Sequence, residues 1–141
     1  MIVYFDTSAL VKRYLAEADS DAILELWKNA WLIASSQLLY SEMSATFARK
    51  RREQPASSAL IDSMQKTFRD DWNTLYRISL NSELNQRVDS LLTRHALRGA
   101  DAVHLASALH LRDLAQDDVT FACADHALTN AARLEGLTIA A

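Results

Sequence analysis

Only two glycines, Gly99 and Gly136, one proline, Pro55, and one cysteine, Cys123, occur in the 141 residues. Isolated glycines cannot build the loops that cradle phosphate in dinucleotide or P-loop sites, which need clustered glycines for close backbone approach. A single cysteine excludes an internal disulfide. The four histidines, His95, His104, His110 and His126, include no pair four apart and no Cys-His spacing suited to zinc, so a transition-metal centre is not expected. No apolar run approaches the roughly 18 residues that span a bilayer. Asp6 interrupts the first apolar run, which removes any secretory core, so no membrane partner is expected and the expected setting is a reducing cytoplasm. A net charge of -3 argues against a generally basic nucleic-acid binder and leaves room for a local basic patch.

Half of the chain is hydrophobic, enough for one compact domain over residues 1–141. With so few glycines and prolines, the elements are marked by alternation between strand-like and helix-like runs. Strands are expected at 2–5, 31–35, 76–80 and 119–124, with a possible edge strand at 137–140. Between them lie helical patterns at 8–15, 21–30, up to Arg52, from Pro55 to about Trp72, from Asn81 or Ser82 to near His95, 101–114 and 126–134. Gly136 is the expected stop of the last helix. Alternating β and α runs, with short strands that lack polar alternation, predict an α/β fold with a central parallel sheet flanked by helices.

Four acids stand out against this frame. Asp6 ends the run Ile2-Val3-Tyr4-Phe5, Asp125 ends Val119 to Ala124, Glu42 lies within a helix among largely apolar or small neighbours, and Asp101 opens another helix. Singly, each has an ordinary explanation as a turn residue, a helix cap or a solvated side chain. Two of them close strands, and because open α/β sheets bind ligands in the crevice beyond the carboxyl ends of the strands, carboxylates placed there can converge although the chain separates them widely. Two like charges about 4 Å apart repel by roughly 4 kcal/mol at an effective dielectric of 20. Gathered carboxylates therefore call for a cation, and hard oxygen donors favour Mg²⁺ or Mn²⁺.

The joint pattern runs Asp6-Thr7-Ser8-Ala9-Leu10-Val11-Lys12, Ser41-Glu42, Arg98-Gly99-Ala100-Asp101-Ala102-Val103-His104-Leu105-Ala106, and Ala124-Asp125-His126. In order and spacing it resembles the PIN-domain ribonucleases, especially the small VapC-like toxins of type II toxin-antitoxin systems, over essentially the whole chain. Cys123 and His126 stand where relatives often carry a hydroxyl residue and a basic or polar one. The resemblance implies a PIN-like, three-layer α/β/α fold, with Asp6, Glu42, Asp101 and Asp125 as catalytic, metal-binding acids for Mg²⁺ or Mn²⁺. It further implies a cognate antitoxin protein and a homodimer. The expected activity is metal-dependent endoribonuclease cleavage of single-stranded or structured RNA. The alternative is a catalytically silent PIN-like module that binds RNA or protein.

Substrate contacts are expected from Thr7 and Ser8, whose hydroxyls could orient Asp6 or substrate, and from Arg49 and Arg98. Arg49 belongs to the run Arg49-Lys50-Arg51-Arg52, which with Lys12, Arg13 and Arg98 could draw an RNA backbone toward the acids. Cations near a helix C-terminus are also favoured by the macrodipole alone. His104 and His110 read as satisfied helix residues, Trp27, Trp31 and Trp72 as packing residues of the core or an interface, and Cys123 as an inert thiol in a buried strand.

Overall fold

The computed structural model describes residues 1–140. In chain order the elements are β1 (Ile2–Phe5), α1 (Thr7–Tyr14), α2 (Ser20–Asn29), β2 (Leu32–Ser36), α3 (Leu38–Glu53), a 3-10 turn (Pro55–Ser57), α4 (Ser58–Trp72), β3 (Tyr76–Ile78), α5 (Ser82–Arg94), α6 (Gly99–Ala115), β4 (Val119–Ala122), α7 (His126–Leu134) and β5 (Thr138–Ile139). All neighbouring strands pair in parallel in the order β3-β2-β1-β4-β5. The expected edge strand is thus present as β5, and the central parallel sheet with helices on both faces matches the sequence reading.

β1 is the middle of the molecule. Successive strand residues point to opposite faces, so Ile2 and Tyr4 enter one core with α5, α6 and α7, while Val3 and Phe5 enter the other with α1 to α4. All four are buried, which is why the run has no polar alternation. On the second face Tyr14, Phe47 and Phe68 meet ring to ring at centroid separations of 5.6 to 6.2 Å. Fully burying a side chain of this size contributes roughly 1.5–3 kcal/mol, so this cluster fastens α1, α3 and α4 together.

Helix ends follow local chemistry. Asn81 caps α5, its Oδ1 accepting from the Leu84 amide at 2.9 Å. Gly136, at φ +89°, takes the left-handed turn after α7. With only two glycines available, other left-handed positions fall to Asp19 (φ 67°) before α2 and Gln116 (φ 51°) after α6.

Four sequence expectations need correction. β2 begins after Trp31, which is 68% exposed rather than packed and whose amide donates to the Met1 carbonyl at the sheet margin. β3 stops at Ile78 and leaves Leu80 outside. β4 stops at Ala122, so Cys123 is half-buried in the connection to α7 instead of in a strand. α6 begins at Gly99, two residues before Asp101, with Arg98 at its N-cap position and no side-chain cap bond.

Candidate metal centre

The strand order reverses direction at β1: β2 and β3 extend the sheet to one side, while β4 and β5 lie on the other. Such a switch point leaves a crevice beyond the strand ends, between the helices that depart to opposite faces. Asp6 sits at its floor. Its amide donates to the Ala122 carbonyl at 3.1 Å, carrying the β1–β4 ladder one residue past the strands. Its carboxylate caps α1, with Oδ1 accepting from the Ala9 amide at 3.0 Å. The Ser8 hydroxyl lies 2.8 and 2.9 Å from its two oxygens. The side of the crevice formed by the β4–α7 connection is held by the same hydroxyl, which accepts from the Ala124 amide at 3.0 Å.

Asp6 is 4% exposed, yet among the described residues no Lys, Arg or His lies within ion-pair distance of it. Burial raises its pKa, and the lowering by nearby His104, Ser8 and Ala9 does not offset that. A buried carboxylate bonded only to neutral donors is costly when ionised, and a cation is what would relieve it.

Glu42 reaches the crevice from the second turn of α3. Its Oε1 accepts from Thr7 Oγ1 at 2.8 Å and lies 2.6 Å from His104 Nε2. Partial burial pushes its pKa up, but His104, Thr7 and the charge of Arg98 together pull it below the usual carboxylate range. Asp101 is the third residue of α6, 16% exposed, with Oδ2 3.4 Å from Nε of the exposed Arg98. Asp101 does not cap its helix, since the helix starts earlier. Asp125 does cap: its Oδ1 accepts from the Leu128 amide at 2.9 Å.

The two hydroxyls divide their work, Ser8 orienting Asp6 and Thr7 orienting Glu42. Arg98 stands at the entrance beside Asp101, but Arg49 lies two helical turns beyond Glu42, paired with Glu53 at 3.7 Å. Arg51 is bound to Asp62 and Gln65. Arg13 is taken up in a clamp, bonded to Asp71 at 3.1 Å and lying 3.9 Å over the Trp27 ring. Of the cations expected to draw in phosphate, Arg98 is thus the one tied to the acids. Although it lies outside the strand, Cys123 is still partly buried, and desolvation, then the nearby Asp6 charge, push its thiol up to about 12.

As placed, no three His, Cys, Asp or Glu side chains among the described residues are gathered closely enough to hold a metal ion. The reason is visible in the bonds above: each acid is turned toward a donor of its own, a helix N-terminus, a hydroxyl, an imidazole or a guanidinium. The donor set nevertheless fits a hard divalent cation, with carboxylate oxygens at the ends of the central strands and no thiolate free to compete. The sequence reading missed His104 at this site. It is 2% exposed on α6, and the usable signal was a lone imidazole at an inward position of an otherwise apolar helix, which demands a buried partner.

No family model matches the chain. Among curated proteins, it is 37% identical over 112 residues to "Ribonuclease VapC45" of Mycobacterium tuberculosis strain CDC 1551 / Oshkosh, covering 79% of this chain and 78% of that protein. The same identity and coverage hold for "Ribonuclease VapC49" of Mycobacterium tuberculosis strain ATCC 25618 / H37Rv. Among solved structures, it resembles a chain of VapBC2 from Rickettsia felis bound to a DNA fragment from the promoter, with TM-score 0.67, 16% identity and coverage of 99% and 97% of the two chains. FitAcB from Neisseria gonorrhoeae matches with TM-score 0.60, 13% identity and coverage of 99% and 96%.

Proposed function

The chain belongs to the VapC family of ribonucleases and has its PIN-like fold, and from that premise we propose that it is a Mg²⁺- or Mn²⁺-dependent endoribonuclease, the toxin of a toxin-antitoxin pair. The observation that carries the metal dependence is Asp6, a buried carboxylate at the switch point with only neutral donors bonded to it. Asp6, Glu42, Asp101 and Asp125 would hold the ion, directly or through water. A divalent cation there would supply charge neutralisation at the phosphodiester and a more acidic attacking water.

The remaining work falls to the chain. Ser8 and Thr7 fix the two acids whose oxygens they bond. Arg98, 85% exposed at its side chain, meets a phosphate at the entrance and then gives up its long contact with Asp101. Arg49 follows along α3 as an outer contact to the RNA backbone, once its exposed pairing with Glu53 is released. The action is assigned to the cytoplasm. The same reading includes a homodimer and a protein antitoxin; a further solved neighbour, at TM-score 0.54 and 20% identity, is a toxin-antitoxin complex from Klebsiella pneumoniae.

The test is cleavage of single-stranded RNA by wild type and Asp101→Asn, each with Mg²⁺ or Mn²⁺ and with chelator, beside matched DNA. The proposal expects RNA cutting that needs the ion and is lost in the variant. A catalytically silent binding module is favoured by one observation, the dispersed placement of the acids. It would be upheld by RNA or partner binding without turnover in either protein.

A further inference from the structure

His104 occupies a position that neither helix packing nor the acids alone require. Both of its ring nitrogens are engaged: Nδ1 lies 2.8 Å from the Tyr4 hydroxyl and Nε2 lies 2.6 Å from Glu42 Oε1. A carboxylate offers no hydrogen, so the Nε2 contact places the ring hydrogen on Nε2. In the neutral tautomer with its hydrogen on Nε2, Nδ1 carries a lone pair and the Tyr4 hydroxyl is the donor that can fill it. Tyr4 is well placed to keep doing so. It is wholly buried in the middle of β1, stacked on Phe121 at 5.6 Å and meeting the imidazole edge-on at 5.9 Å.

Glu42 is aimed by this arrangement. Its Oε1 receives both the imidazole and the Thr7 hydroxyl. Among the described residues no hydrogen bond reaches Oε2, although the side chain is 29% exposed. With both donors on one oxygen, Oε2 is left without a competing partner among the described residues. We propose that His104 is a positioning residue that presents Glu42 to the divalent cation, and that Tyr4 fixes the imidazole tautomer this needs. The inference rests on the metal-dependent reading above. It extends the site inward from the crevice to the centre of the sheet, giving the buried strand β1 a part in metal binding through a residue that is not itself a ligand.

The experiment measures Mn²⁺ affinity by isothermal titration for wild type, His104→Gln, His104→Asn and Tyr4→Phe, with a melting curve for each. The Gln amide can reach the place of Nε2 and still donate to Glu42, whereas the Asn amide is too short and reproduces only the Nδ1 side. The expected result is Mn²⁺ binding weakened about 10-fold or more in His104→Asn and Tyr4→Phe, and largely restored in His104→Gln. The ¹⁵N spectrum of the wild-type imidazole should show the hydrogen on Nε2. Unchanged affinity in His104→Asn overturns the role of His104; unchanged affinity in Tyr4→Phe, or a hydrogen found on Nδ1, overturns that of Tyr4. Absence of Mn²⁺ binding by the wild type removes the metal-dependent reading itself, and so separates the two failures.

Discussion

Asp6 serves two demands that oppose each other. Capping α1 and closing the β1–β4 ladder stabilise the fold, while burying a carboxylate with only neutral donors destabilises its ionised form. The sign of the pH dependence follows. Because burial raises the folded pKa above the ordinary 3.8, whatever Asp6 contributes is fully present below that ordinary value and is lost as pH rises through the folded pKa. Asp6→Asn keeps an oxygen for the Ala9 amide and should melt higher than wild type at neutral pH without metal, by about 2–4 °C per kcal/mol recovered. The gap should close on acidification, and cleavage should be lost throughout. Calorimetry over a pH series checks this; a variant that melts lower at neutral pH would refute it. Of the candidate site residues, the acids stood out in the sequence because each interrupts a pattern of its own stretch of chain. His104 was not, because its partners, Tyr4 and Glu42, lie 100 and 62 positions away, and a ring that satisfies a distant carboxylate looks locally like any helical histidine.

At the scale of elements, strand and helix cores were readable and their ends less so. The burial of Ile2 to Phe5 on both faces and the cap at Asn81 are encoded within a few residues. The early stop of β4 at Ala122 is not, since Cys123 and Ala124 turn away to meet the Ser8 hydroxyl and the backbone of Asp125. Nor is the end of α6, where Gln116 takes a left-handed conformation at φ 51° that the sequence does not announce with glycine. A side chain in that conformation costs roughly 1–2 kcal/mol. Gln116→Gly should therefore stabilise the protein, by about 0.5–1 kcal/mol after glycine's greater freedom in the unfolded chain is allowed for. Chemical denaturation with an unchanged slope would measure it, and a loss of stability would mean that the Gln116 side chain contributes more than its backbone strain costs.

For the whole molecule, the parallel sheet was legible from alternation, but its order was not: nothing in a single sequence says that β4 pairs with β1 while β2 and β3 lie beyond it. If the proposed ion binds, that order would make its binding a global event, since the candidate acids come from the ends of β1 and β4 and from α3 and α6. At 100 times its dissociation constant an ion adds about 2.7 kcal/mol if the unfolded chain does not bind it. Mn²⁺ should accordingly raise the melting temperature of wild type and leave Asp101→Asn nearly unchanged. An equal rise in both proteins would place the ion elsewhere.

The pairing of β1 with β4 also has a consequence for how the protein is made. Residues 2–5 and 119–122 lie near opposite ends of the chain, and Asp125 follows the later strand. During synthesis, which proceeds at about 5–20 residues per second, Asp6 waits for Asp125 until the residues between them have been translated. A nascent chain lacks the second wall of its crevice. The crevice is therefore a late product of synthesis, closed only when β4 pairs with β1.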